Sequence, residues 1–179
     1  MYSRAPNRWP LRVPVACFGY RSWLTSRMSL TQRLRERCEH FSVREVKQRL
    51  VLPRLDEATA AKIAPHRTAL IREVFLYCGE RPVVYARSIL PRESLVGAWA
   101  RLGRLGTRPL GHALFSDPRV QRQPFRFRKF RSGDVIHRAA TRGKNIRREL
   151  WGRYSVFHLH GRPIMVTEVF LPAILDLPR

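Results

Sequence analysis

A chain of 179 residues, 44% of them hydrophobic, is long enough for one domain with a real core and too apolar for a disordered polypeptide. No apolar run approaches the roughly 20 residues needed to span a bilayer, so a soluble protein is expected. The formal net charge is +22 and nearly all of it is arginine, the lysines being Lys47, Lys62, Lys129 and Lys144; nucleic acid, an anionic membrane or a small anionic substrate could answer it, or the arginines could simply form a solvated surface.

Residues 1–22 read as a basic, flexible N-terminal lead-in, and residues 23–179 as one folded domain. The first acidic residue is Glu36, and Arg4, Arg8, Arg12, Arg21, Arg27, Arg33 and Arg35 precede it. Pro6, Pro10 and Pro14 oppose a long amphipathic helix there. The stretch Val13–Tyr20 is too short for a secretory segment. Cys17, Cys38 and Cys78 are odd in number and form no CxxC, so reduced thiols are expected rather than a disulfide framework or a zinc site.

Ser29 followed by Gln32 is a capping-box pattern, predicting a short helix from Leu30 to Cys38 with Leu30 and Leu34 inward. Phe41 to Leu52 reads as a strand ended by Pro53, and Asp56 to Ala61 as a helical turn. Thr68 to Cys78 reads as a strand buried on both faces. Leu70, Arg72, Val74 and Leu76 share one face; Ala69, Ile71, Glu73, Phe75 and Tyr77 share the other. A Gly79–Pro82 turn leads to a returning strand, Val83 to Leu90. Pro91 is expected to open a helix through Leu102, closed by Gly103. Phe125 to Phe130 is a candidate strand, and Ser132 to Glu149 carries no clear pattern. Trp151 to His160 and Ile164 to Leu171 form a second hairpin around His160-Gly161-Arg162-Pro163. The two hairpins resemble each other, which suggests an α+β domain: an antiparallel sheet built from two hairpin units, with helices packed on one side.

Among these elements a few residues invite chemistry. Arg72 on an apolar strand face needs either a buried carboxylate or an anionic ligand held by its planar fork. Glu168, beside Ile164, Val166 and Phe170, should have its proton affinity raised by desolvation unless Arg72 or another cation lies close. Arg72 and Glu168 could simply pair with each other. In Thr107-Arg108-Pro109-Leu110-Gly111, the proline and glycine bracket one residue, read either as an ordinary turn or as a helix start that presents its backbone to a pocket. His158 and His160 have a metal-compatible spacing but no third ligand, so no metal site is expected. Phe125-Arg126-Phe127-Arg128-Lys129-Phe130-Arg131 suits a nucleic-acid platform or a charged edge strand; the edge strand is favoured because no nucleic-acid motif accompanies it.

Taken together, Trp23-Leu24-Thr25, Ser29-Leu30-Thr31, Ile71-Arg72-Glu73-Val74, Leu105 through Gly111, Trp151-Gly152-Arg153 and Thr167-Glu168-Val169-Phe170-Leu171-Pro172 resemble the bacterial chorismate–pyruvate lyase family. The pieces fall in order across residues 23–174. The resemblance implies an antiparallel sheet with an enclosed ligand site under flaps. It implies the conversion of chorismate to 4-hydroxybenzoate and pyruvate at the start of ubiquinone synthesis, in the cytoplasm, with no metal or organic cofactor; a monomer is expected. It places the carboxylate-binding arginine at Arg72, the essential glutamate at Glu168, a ligand-contacting backbone residue at Leu110, and a further contact at Leu30 or, two residues away, Met28. Gln121–Glu149 carries nothing over. Two rivals remain: a non-catalytic effector-binding domain of the same superfamily, although residues 1–30 leave no room for a helix-turn-helix, and a basic nucleic-acid- or membrane-associated protein.

Overall fold

The computed structural model describes residues 9–97, 99–142 and 146–178, the side chains at 45 and 46 excepted. Among the described residues, seven strands form one antiparallel sheet: β1 (Phe41–Val51), β2 (Ala69–Cys78), β3 (Arg81–Pro91), β4 (Gln121–Arg122), β5 (Arg126–Phe130), β6 (Leu150–Leu159) and β7 (Arg162–Phe170). The order is β1-β2-β3-β7-β6, and both β4 and β5 pair with β6. The two hairpins legible in the sequence are β2–β3 and β6–β7. Their returning strands lie side by side at the centre of the sheet, with Ala86 opposite Glu168. His160 and Gly161, at φ 50° and 73°, close the second hairpin in the left-handed conformation that a tight two-residue turn requires.

Strand periodicity divides each strand between two cores. Val74, Leu76 and Val84 pack against α1 (Arg21–Thr25) and α2 (Leu30–Arg35), while Leu70 and Leu90 pack against α4 (Leu110–Phe115). On the other face, Ile71 and Ile89 meet Ala58 and Ala60 of α3 (Leu55–Ala60), and Phe75 and Tyr85 meet Ile136 and Ala140 of α5 (Val135–Ala140). The antiparallel α+β class therefore stands, but the helices expected on one side cover both. A strand apolar on both faces requires this, because an uncovered face would leave Ile71, Ile89 and Phe75 in water. Phe125–Phe130 behaves as the edge-strand reading expects: among the described residues β5 pairs with β6 alone, and Phe127 and Phe130 are buried.

Two further expectations, a helix over 91–102 and reduced thiols throughout, are corrected. Residues 91–102 form no continuous helix but two 3-10 turns, Arg92–Leu95 and Ala100–Arg104, separated by Gly97 at φ 82°. Tertiary bonds set this path: Ser94 Oγ donates to the Pro163 carbonyl at 2.8 Å and Trp99 Nε1 to that of Arg162 at 2.9 Å. The lead-in expected over 1–22 is docked from residue 9 onward, its first eight residues lying outside the described ones. The Trp9 ring meets Tyr154 edge-on at 4.6 Å, Phe127 N donates to the Pro10 carbonyl at 2.9 Å, and Cys17 is buried in the α1–α2 core. Finally, Cys38 and Cys78 are joined in a disulfide, leaving Cys17 as the free thiol. Spacing along the chain concealed this. Cys38 precedes β1, and Cys78 is the register partner of Phe41, so the pairing of β1 with β2 brings the two Cα atoms to 5.3 Å, within bridging range.

Candidate functional site

One face of the central strands forms the floor of a cavity. Arg72 and Val74 of β2, Ala86 and Ser88 of β3, Val166 and Glu168 of β7, and Arg153, Ser155 and Phe157 of β6 all line it. The beginnings of α2 and α4 form the roof. Ser29 caps α2, accepting from Gln32 N at 3.4 Å, and so sets Leu30 at the first helical position. Pro109 precedes α4, where Leu110 is first. The two helices approach so closely that a Cβ on Gly111 would lie 3.1 Å from both Ser29 Oγ and Thr31 Oγ1. Met28, Phe115, Arg122 and Phe125 also line it.

The four residues singled out in the sequence, Leu30, Arg72, Leu110 and Glu168, thus all line a single cavity. Leu30 and Leu110 are buried in its roof; Met28, the alternative to Leu30, lies on the lining with half its surface exposed. Arg72 is buried, and its Nη2 donates to the carbonyls of Gly106 at 2.9 Å and Arg108 at 3.0 Å. The guanidinium therefore fixes the loop that presents Leu110, and Gly106 takes a left-handed φ of 53° within that loop. Glu73, the next residue, points to the opposite face of the sheet. There it accepts from Tyr85 Oη and, at 2.7 Å, from Arg87 Nη1, while Arg87 Nε reaches Glu57 Oε1 at 2.6 Å. The Arg72-Glu73 pair in the sequence is thus split between a cavity and a buried structural network. Burial alone would raise the Glu73 carboxyl, but the hydrogen bond from the Tyr85 hydroxyl and then the charge and hydrogen bond of Arg87 hold it below its usual range.

Arg72 and Glu168 are not each other's partners. Glu168 Oε2 accepts from Arg153 Nε at 2.6 Å, and Arg153 Nη1 also donates to the carbonyls of Leu24 at 3.0 Å and Ser26 at 2.7 Å. Arg153 is 1% exposed and lies over the Phe125 ring at 4.1 Å. This is the cation whose presence was left open for Glu168. Sequence reading passed over Arg153 as part of a matching Trp-Gly-Arg, although a signal existed. Arg72 and Arg153 stand the same number of residues ahead of the Arg-Pro that opens each returning strand. Arg122 was also missed, because it lies in the weakly patterned stretch after Gln121.

The sequence profile of the chorismate lyase family matches residues 12–178. The chain is 46% identical over 176 residues to a probable chorismate pyruvate-lyase of Nitrosomonas europaea, covering 96% of this chain and 97% of that one. It is 47% identical over 170 residues to the protein of the same name in Aromatoleum aromaticum, covering 93% and 90%. Among solved structures, the C-terminal domain of the histidine utilization repressor of Pseudomonas syringae aligns with a TM-score of 0.58 at 6% identity, over 75% of this chain and 93% of that one. PhnF of Mycobacterium smegmatis aligns with a TM-score of 0.58 at 12% identity, over 83% and 66%. These last two likenesses establish a shared fold only.

Proposed function

The chain belongs to the chorismate lyase family, and on that premise we propose that it splits chorismate into 4-hydroxybenzoate and pyruvate, as a cytoplasmic monomer acting at the start of ubiquinone synthesis without a metal or organic cofactor. The carrying observation is the placement of Arg72 and Glu168, with Leu30 and Leu110, on one cavity, each charge held by partners other than the other. An arginine and a carboxylate that line one cavity without pairing with each other can address two ends of a ligand.

Chorismate has a ring carboxylate, a ring hydroxyl and, on the neighbouring carbon, an enolpyruvyl ether. The reaction breaks the ether carbon–oxygen bond at the ring and removes the hydrogen from the hydroxyl-bearing carbon. Those electrons complete the aromatic ring, and a proton ends on the methylene carbon of the departing enolpyruvate, which becomes pyruvate. Aromatisation supplies the driving force, so the protein's task is positioning and charge placement. Arg72 is assigned to the ring carboxylate, assisted by the Leu110 N–H at the start of α4 and by contact at Leu30. Glu168 is assigned to the hydroxyl end, with a role in the proton transfer. Arg153 holds one Glu168 oxygen and leaves Oε1 to the ligand, since among the described residues nothing donates to Oε1.

The test is incubation of the protein with chorismate in chelator-treated buffer, following 4-hydroxybenzoate by absorbance. Stoichiometric 4-hydroxybenzoate and pyruvate are expected. Tight 4-hydroxybenzoate binding with no turnover would overturn the lyase reading in favour of a ligand-sensing domain.

A further inference from the structure

The cavity end that holds Glu168 carries more positive charge than one carboxylate answers. Arg153 is matched by Glu168. Arg122, on β4, lines the same cavity half-buried, its guanidinium 4.5 Å above the Phe125 ring and 5.6 Å from that of Phe115. Among the described residues, no carboxylate reaches ion-pair distance of Arg122. Burial, then the Arg153 charge, and also that of Arg27, pull its proton affinity below the usual arginine range, with only Glu168 opposing. A guanidinium near two aromatic rings, beside like charges and without a carboxylate partner among the described residues, gains from an incoming anion.

We propose that Arg122 forms a second carboxylate subsite, which binds the enolpyruvyl carboxylate of the substrate and so distinguishes substrate from product. This rests on the lyase reading above. With the ring carboxylate at Arg72 and the ring hydroxyl at Glu168, the enolpyruvyl group on the adjoining carbon falls at the Glu168 end. Its carboxylate would be repelled by Glu168 if no cation stood there. Arg122 supplies that cation, and 4-hydroxybenzoate, which has lost this carboxylate, has no use for it. Arg122 and Phe125 also line an adjoining surface cleft with Thr25 and Arg27, so the subsite sits where a small carboxylate product could leave.

The experiment compares Arg122→Gln and Arg122→Lys with the unmodified protein. Two binding probes are used: 4-hydroxybenzoate, with one carboxylate, and 3-(carboxymethoxy)benzoate, an unreactive diacid with a second carboxylate on an ether arm. Arg122→Gln is expected to weaken the diacid by about tenfold or more, the scale of a lost charge-assisted hydrogen bond, and to lower kcat/KM for chorismate in parallel. Affinity for 4-hydroxybenzoate should change by less than about twofold, which also confirms that the cavity is intact, and Arg122→Lys should recover part of the loss. Equal weakening of both probes, or an unchanged diacid affinity, overturns the subsite. Failure of the unmodified protein to turn over chorismate would instead count against the lyase reading, and the split between the two probes would still decide the role of Arg122.

Discussion

Arg153 and Glu168 face each other as register partners across β6 and β7, Nε to Oε2 at 2.6 Å, and the same guanidinium closes the end of α1 through the carbonyls of Leu24 and Ser26. One buried side chain therefore holds together a central strand, an inner helix and the cavity carboxylate. Arg153→Met should strand the carboxylate and free two carbonyls, lowering stability by about 3–5 kcal/mol. Adding Glu168→Gln should return part of that loss. Combining Arg72→Met with Glu168→Gln should give no such rescue, since those two do not pair. Denaturant melts on the two cycles measure both couplings, and coupling in the Arg72 cycle rather than the Arg153 cycle would contradict the geometry.

Glu168→Gln alone separates catalysis from architecture. The amide keeps shape and can still meet Arg153 through its oxygen, but it has no negative charge and cannot accept a proton. The variant should fold, bind 4-hydroxybenzoate, and lose turnover by at least about 100-fold. Arg72→Met should behave differently, losing ligand affinity and loosening the Gly106–Arg108 loop, because the same Nη2 that holds that loop belongs to the ligand-gripping fork. Near-normal turnover in Glu168→Gln would remove it from the chemistry.

The Cys38–Cys78 disulfide ties the chain after α2 to the end of β2, across a sequence separation of 40. Closing a loop of that size stabilises by about 2–4 kcal/mol, so a reductant should lower Tm, and Cys78→Ser should have a lower Tm that reductant no longer changes. A Tm indifferent to reductant in the unmodified protein would mean that the thiols are not joined.

Gly152 shows how a motif without reactive atoms can serve the site. A Cβ there would lie 2.7 Å from the Glu168 carbonyl oxygen and 2.7 Å from Phe130 Cε2. The first is backbone and the second a fully buried ring, so neither can yield cheaply. Gly152→Ala should cost about 1–3 kcal/mol from overpacking and, by pushing β6 from β7, should reduce turnover through displacement of Arg153 and Glu168. An alanine variant as stable and active as the parent would show that the strands have more room than the geometry allows.

The strands and hairpins were legible because a period of two and the Arg-Pro turns are local signals, and Arg72, Glu168 and Leu110 stood out through charge on an apolar face and the Pro-x-Gly bracket. What escaped was whatever depends on contacts distant in sequence. Arg153 gains its meaning from the ends of α1 and β7, the disulfide from the register of β1 on β2, and the 3-10 turns after Pro91 from bonds to Arg162 and Pro163. Arg122 escaped because a two-residue strand is too short to show any period.

The N-terminal segment is the last case, since its composition argues for dispensability and its contacts argue against it. Trp9 sits edge-on to both Tyr154 and Phe130, at 4.6 Å and 5.5 Å, and its neighbour Pro10 accepts a hydrogen bond from the edge strand β5. Cys17 is 1% exposed in the core that also holds Trp23, Leu34 and Phe170. Deleting residues 1–22 removes the Trp9 ring from β5 and β6, opens the Cys17 site beneath α1, and leaves Phe127 N without its acceptor. Loss of a large aromatic contact and a core side chain together should lower stability by at least about 2 kcal/mol. Because α1 begins at Arg21 and its end is held by Arg153, the disturbance should reach the Glu168 end of the cavity and weaken 4-hydroxybenzoate binding as well. Deleting only residues 1–8 leaves these contacts in place and should change neither quantity. Paired melts and titrations on the two truncations decide the matter, and a protein lacking residues 1–22 that melts and binds like the full chain would return the segment to the status of a flexible lead-in.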